Sequence, residues 1–315
     1  MTWEPGDAER LTAEAVAEAA KGKIDCIVAG GGDGTINEVF AAAYAAGLPT
    51  HCSLGVLPLG TANDFAHSAG VSVKNITAAL RIAANAPPRL IDLGLLNGAP
   101  FVNLVSGGFG SRITVETDPE LKRRLGGLAY VITGVSRFAD LSANRGRFRA
   151  EGFSWEGPFL ALAIGNGRQA GGGVPLCPDA LIDDGLLDLT ILPDLDRVAR
   201  FDAFSQHLLP NIDYSQYLRP NAAFLRHLLP NSGLSRYLLP HTAFSRLLRK
   251  GEAAIRAEQV TTQSSWIEYE SERDLNINLD GEPRVVKRFR VECRKWLLPV
   301  RLGKGAFLSS HHGRT

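Results

Sequence analysis

The chain has 315 residues, 45% hydrophobic and 21% charged, which excludes a disordered chain and suits about two folded domains. A formal net charge of +1 argues against nucleic acid as the main partner. No apolar run approaches the ~18–20 residues of a membrane span, and "MTWEPGDAER" is polar and acidic, unlike a secretory signal. The expected location is the cytoplasm, with any membrane contact peripheral and at the inner face. The four cysteines, Cys26, Cys52, Cys177 and Cys293, lie far apart with no C-x-x-C pair, as reduced buried thiols do.

In chain order, "PGDAERLTAEAVAEAAKG" predicts an alanine-rich helix with acids at its start. "KIDCIVAG" predicts a short strand of a sheet buried on both faces. "INEVFAAAYAAG" reads as a helix, "SLGVLPLG" as a second buried strand, and "TANDFAHSAG" and "ITAALRIAANAP" as two further helices. Strand, glycine turn, helix, strand, polar turn, helix is parallel α/β architecture, whose ligands bind at the carboxyl ends of the strands. From about Ile91 the texture becomes β-like runs broken by glycine and Asp-Gly turns, predicting a larger, mainly antiparallel β-rich domain over 92–315 beside an α/β domain over 1–91. A helical hairpin is expected at about 117–142. Residues 201–250 fall into tens with prolines at 210, 220, 230 and 240, so no long helix can run through them. They read as a duplicated insertion; the functional alternative is a basic, amphipathic docking segment.

Two turns carry candidate chemistry. In "GGGDGTINE" (30–38) the glycines let backbone N–H groups approach phosphate oxygens, and the following helix adds its positive end. The turn has no P-loop lysine; it has Asp33. "LPLGTANDF" repeats the arrangement on the next strand and brings Asp64. Acids beside phosphates make sense around Mg²⁺, which keeps several waters and few protein ligands. Three further stretches stay ambiguous by themselves. "NLDGEP" places Asp280 in the commonest hairpin signal, "DDGLLDL" (183–189) reads first as a turn, and "GNGRQAGGG" (165–173) either lines a site or connects strands.

Taken together and in this order, "GGGDGTINEV", "LPLGTANDFA", "IGNGRQAGGG", "LCPDALIDDGLLDL" and "NLDGEP" resemble the YegS-type bacterial lipid kinases of the diacylglycerol kinase catalytic-domain family, whose fold is similar to that of NAD kinases. The resemblance runs over nearly the whole chain, from "WEPGDA" onward. It implies that Thr2, Gly32, Asp33, Gly34, Thr35, Ile36, Asn37, Glu38 and Thr61 contact ATP. It implies that Asp280 is the proton acceptor activating a lipid hydroxyl. A structural Mg²⁺ (or Ca²⁺) is implied at the Asp184 side chain and the Leu181 and Leu186 carbonyls. Asp33 and Asp64, with Asp92 of "LIDLG", resemble the acids around the catalytic Mg²⁺. The implied partners are ATP and a lipid at the membrane surface; a dimer is compatible with the sequence. Family members begin with a further strand and helix, so the expectation is an N-terminally truncated α/β domain here. Relatives also have a short connection in place of the ten-residue repeats. The alternatives are a kinase of a soluble substrate, as NAD kinases are, and an inactive nucleotide- or lipid-binding relative; "GRQAGGG" and "DDGLLDL" favour the lipid branch.

Overall fold

The computed structural model describes residues 4, 6–108, 143–194 and 259–309. Thr2, the expected hairpin at 117–142 and the repeats at 201–250 lie outside them.

The N-terminal part follows its hydrophobic pattern. Helix α1 (Asp7–Ala20) turns Ala8, Val16 and Ala19 inward. Strand β1 (Cys26–Gly31) pairs in parallel with β2 (Ser53–Pro58), from Cys26↔Ser53 to Gly31↔Pro58. Helix α2 (Asp33–Ala45) crosses between them, burying Ile36, Val39, Phe40 and Ala43. Short α3 (Asp64–Ser68) and α4 (Ile76–Asn85) follow β2; the Asn75 side chain caps α4 by accepting from the Ala78 N–H. The expectation of two-sided burial holds for β2 and fails for β1. Residues 53–56 are all buried, whereas β1 buries only Ala29 and leaves Val28 42% exposed. The reason is position. β2 lies between β1 and β13, while β1 ends the sheet and has no strand on its outer edge among the described residues.

The remainder is antiparallel. Strands β3 (Pro88–Leu96), β4 (Ala99–Phe101), β5 (Leu104–Gly108), β6 (Asn144–Ala150) and β7 (Phe153–Gly165) precede a small hairpin, β8 (Gln169–Ala170) and β9 (Val174–Pro175). Strands β10 (Leu187–Pro193), β11 (Val260–Ser264), β12 (Trp266–Leu279) and β13 (Glu282–Arg301) follow. One sheet runs β1-β2-β13-β12-β5-β7-β10-β11, with β3, β4 and β6 paired off this path. Strand β13 joins the two parts: antiparallel to β12 and β3 along its length, it meets β2 in parallel at Val300↔Leu54. The boundary expected after Ile91 therefore falls inside β3, which pairs with β13 on both sides of that point.

Two large apolar cores form among the described residues, with a small third one around Cys177. One joins the helices to β1, β2 and the end of β13 through Leu298, Val300 and Leu302. The other is aromatic: Phe148 lies 5.0 Å from Tyr269 and 5.4 Å from Phe159, and Tyr269 stacks on Phe289 at 5.0 Å. Ring pairs at these spacings contribute about 0.5–1.5 kcal/mol each beyond their buried area.

Candidate active site

The two phosphate-type turns lie against each other. Gly32 is the N-cap of α2, and a Cβ on Gly60 would collide with the Gly32 Cα, so the two backbones touch where any side chain would part them. Asp33, Gly34 and Thr35 form the first turn of α2 and not a loop before it, so their N–H groups have no acceptor within the helix. Ile36 is fully buried in the core, so only its backbone belongs to the turn, and that N–H donates to Gly32 O. Asn37 is buried, and Glu38 and Thr61 are exposed. The Asp33 Oδ1 accepts from the Phe65 N–H at 2.9 Å, tying the start of α2 to the start of α3. Asn63 stands at φ 54 and closes the second turn, accepting from the Gly60 N–H at 2.9 Å and donating to its carbonyl at 2.7 Å. Asparagine tolerates this left-handed backbone better than most residues.

Asp280 occupies the two-residue turn between β12 and β13, at φ 46 with Gly281 at φ 105, and Leu279↔Glu282 closes the hairpin. Its carboxylate faces inward and is 7% exposed. Oδ2 accepts from the N–H groups of Val102 and Asn103 at 2.8 and 3.0 Å; Oδ1 accepts from Leu104 at 2.7 Å. Burial pushes its pKa up to about 6, more than the three N–H donors pull it down, and the charge of Asp33 adds to the rise. Oδ1 receives one of these bonds and retains room for a hydroxyl proton.

Asp64 is 3% exposed, and burial raises its pKa, with Asp33 again contributing. Asp33 therefore acts on both Asp64 and Asp280, and these three acids share one neighbourhood. Asp92 does not join them. Its carboxylate accepts from the Gly185 and Trp296 N–H groups, the latter at 2.7 Å, and its pKa is pushed to about 6 by burial and then by Asp184 and Asp183. It belongs with "DDGLLDL". There Asp184 Oδ1 accepts from the Leu186 N–H at 2.9 Å, and burial followed by Asp183 raises the Asp184 pKa. Asp188 is likewise pushed to about 6 by burial, against the donor Gln263, with Asp184 and Asp179 adding to the rise. Acids packed this closely repel one another, and a hard cation would relieve the repulsion, so the donor set fits one. No three His, Cys, Asp or Glu side chains converge on a point among the described residues.

Arg168, the charge in "GNGRQAGGG", is committed elsewhere: Nε donates to Ala180 O at 2.8 Å and the guanidinium lies 3.9 Å from the Phe307 ring centroid. Sequence reasoning missed Asn63, Asn103, Asn166 and Gln169. Asn166 is fully buried and donates to the Asp92 and Val102 carbonyls, bridging the two acid groups. Only Asn63, an asparagine in a Gly-rich turn, carried a signal that could have been read. A concavity of about 470 Å³ is lined by residues of β6, β12 and β13, but Arg147, Arg149 and Arg290 there are engaged in cross-strand pairs with Glu156, Glu270 and Glu268, and no predicted site residue lines it.

Comparison with known proteins agrees with this architecture. Residues 1–96 match the family model of the diacylglycerol kinase catalytic domain, and 103–219 that of the YegS C-terminal NAD kinase beta sandwich-like domain. A protein of Xanthomonas euvesicatoria named "Probable lipid kinase YegS-like" is 42% identical over 310 residues, covering 96% of this chain and 84% of its own. The chain belongs to the YegS-like lipid kinases. A Pseudomonas aeruginosa protein of the same name is 40% identical, with 97% and 84% covered. A crystal structure described as a diacylglycerol kinase from Bacillus anthracis shares the fold at a TM-score of 0.62 and 18% identity, over 97% of this chain and 84% of that one. As a YegS-like lipid kinase the chain is a phosphotransferase with an alcohol acceptor, and no helix among the described residues is long and apolar enough to cross a membrane.

Proposed function

We propose that the chain transfers the γ-phosphoryl group of ATP to the hydroxyl of a membrane lipid such as diacylglycerol or phosphatidylglycerol, with Asp280 as general base. The observation that carries this reading is that Asp33, at the first glycine turn, raises the pKa of both Asp64 of the second turn and the buried Asp280, so that three carboxyls share one neighbourhood. The turns offer backbone N–H groups to phosphate oxygens, at Gly34 and Thr35 in the first and around Thr61 in the second. A lipid alcohol is a weak nucleophile, and phosphoryl transfer needs positioning and charge neutralisation more than covalent help. Asp280 Oδ1 takes the hydroxyl proton; its raised pKa makes it more basic than an ordinary carboxylate while, at about 6, still leaving it mostly ionised at neutral pH. Asp33 would serve a nucleotide-bound Mg²⁺, and Asp184, with the Leu181 and Leu186 carbonyls, would hold a structural Mg²⁺ or Ca²⁺. Such a cation, when bound, neutralises phosphate or carboxylate charge.

The test is transfer of label from γ-labelled ATP over a panel of vesicle-presented lipids and soluble nucleotides, wild type against Asp280→Asn. The expected result is a labelled lipid with the wild type and almost none with the variant. Label appearing only in a soluble nucleotide sinks the lipid reading, and undiminished labelling with Asp280→Asn sinks the base.

A further inference from the structure

The hydrogen bonds of Asp64 cross between the two family segments. Asp64 begins α3 in the first; Gln169, Gly172 and Gly173 follow β7 in the second. Gln169 Nε2 donates to Asp64 Oδ1 at 3.1 Å, the Gly173 N–H donates to the same oxygen at 2.9 Å, and the Gly172 N–H donates to Oδ2 at 3.0 Å. The other face of Gln169 is also engaged: its backbone carbonyl accepts from Asn103 Nδ2 at 3.0 Å, and the Asn103 N–H donates to Asp280. A continuous path runs Asp64–Gln169–Asn103–Asp280, and Gln169 is its only member touching both halves by side chain and by backbone.

The loop is shaped for this contact. Gly171, Gly172 and Gly173 stand at φ 64, 86 and 105, a run that L side chains rarely adopt. A Cβ at Gly171 or Gly173 would meet nothing within 4 Å, so glycine there answers to the backbone and not to crowding. The shape turns two successive N–H groups onto one carboxylate, the geometry of an anion-binding nest. A buried aspartate serving only its own helix needs local donors; here all three come from the other segment.

We infer that Gln169 is a positioning residue: with the Gly172–Gly173 nest it latches Asp64 on the nucleotide side to the strand entry that holds Asp280, setting the register between phosphoryl donor and acceptor. What is positioned rests on the phosphotransfer reading; the latch itself stands on the hydrogen bonds. In this arrangement both Asp64 carboxylate oxygens accept bonds from the loop, and Asp64 acts on the reaction through the latch.

The test uses the full chain with Gln169→Glu and Gln169→Leu. The first sets a carboxylate against Asp64, and the second removes the donor at similar size. Amide hydrogen exchange is followed over 170–175 and kinetics are measured with ATP and the lipid acceptor. Exchange at Gly172 and Gly173 should quicken by about tenfold or more with Gln169→Glu. The kcat should fall by roughly 10–100-fold with KM for ATP within about twofold, as misplacement without loss of binding predicts. Lowering pH should bring the Gln169→Glu kcat back toward wild type at the same pH, because a protonated Glu regains a donor for Asp64; a merely structural defect would not recover. Unchanged exchange overturns the latch, and a loss confined to KM, or no pH recovery, overturns the positioning role. Exchange is read without any activity, so a latch that responds in a chain with no transferase activity separates this inference from the proposed reaction. If Gln169→Glu does not fold, Asp64→Asn reads the same exchange from the other end.

Discussion

Among the described residues two groups of buried and half-buried acids differ in how they are assembled. Asp33, Asp64 and Asp280 come from three distant segments, and each is met by backbone N–H groups, one on Asp33, two on Asp64 and three on Asp280. Asp183, Asp184 and Asp188 come from one short stretch with Asp92 beside it, and Asp92, Asp184 and Asp188 carry pKa values raised by burial and then by neighbouring acids. The first group is organised by donors and is ready to act on something brought to it. The second also has backbone donors, Gly185 and Trp296 on Asp92 and Leu186 on Asp184, but Asp184 and Asp183 together raise the pKa of Asp92, a repulsion that a cation would relieve. Asp64 and Asp280 in the first group and Asp92, Asp184 and Asp188 in the second all have raised pKa values, so the shift alone does not separate a reacting acid from a binding one.

The largest effect that can break this contrast is at Asp280. Asp280→Asn keeps the size and removes the base, and kcat should fall by about 10²–10⁴-fold with KM for ATP little changed. An Asp184→Asn loss of equal size and kind would erase the distinction. At the second group the readout is stability. Divalent cation at about 100 times its dissociation constant should stabilise the wild type by about 2.7 kcal/mol, and Asp184→Asn should abolish that increment in a melting experiment with and without chelator. A cation shift that survives Asp184→Asn would move the metal elsewhere.

Smaller effects follow from titration. The kcat should climb as pH rises through about 6 and then level, because Asp280 acts ionised; the profile should be flat there in Asp280→Asn. Stability should run the other way. Asp280 and Asp188, at about 6, still hold protons between pH 4 and 6 that the unfolded chain has released, so folding stability falls as pH rises through that window. In chelator, moving from pH 7 to 5 should add about 1 kcal/mol per group, read as a higher denaturation midpoint; a lower midpoint would contradict the assignment. An effect on stability alone belongs to Arg168→Ala, which removes a hydrogen bond and a ring contact and should cost about 1 kcal/mol with ATP binding unchanged.

Much of this was legible in the sequence where one local signal sufficed. The alternation of apolar runs and glycine turns gave β1, α2 and β2, and "LDGEP" gave the β12–β13 turn. Asp280 turned out to be a turn residue with an inward carboxylate, so the two readings of Asp-Gly were not exclusive. What stayed hidden depended on distant pairing. Nothing around Asp92 says that its partners are Gly185 and Trp296, and nothing around Gln169 says that it faces Asp64. The exposure of Val28 followed from strand order, which no stretch of "CIVAGG" encodes.

Strand β13 has a consequence in time as well as in space. Its Val300 partners Leu54, about 250 residues earlier, and its Leu298 and Val300, with Leu302 just beyond it, fill the core shared with α2 and α3. A chain emerging from the ribosome presents the glycine turns first and must keep the flank of β2 uncovered until nearly its last strand has been made. Such late, distant pairing is slow and leaves intermediates prone to aggregate. The half of the protein that is synthesised first is therefore completed last, and its vulnerability during synthesis is set by the far end of the chain.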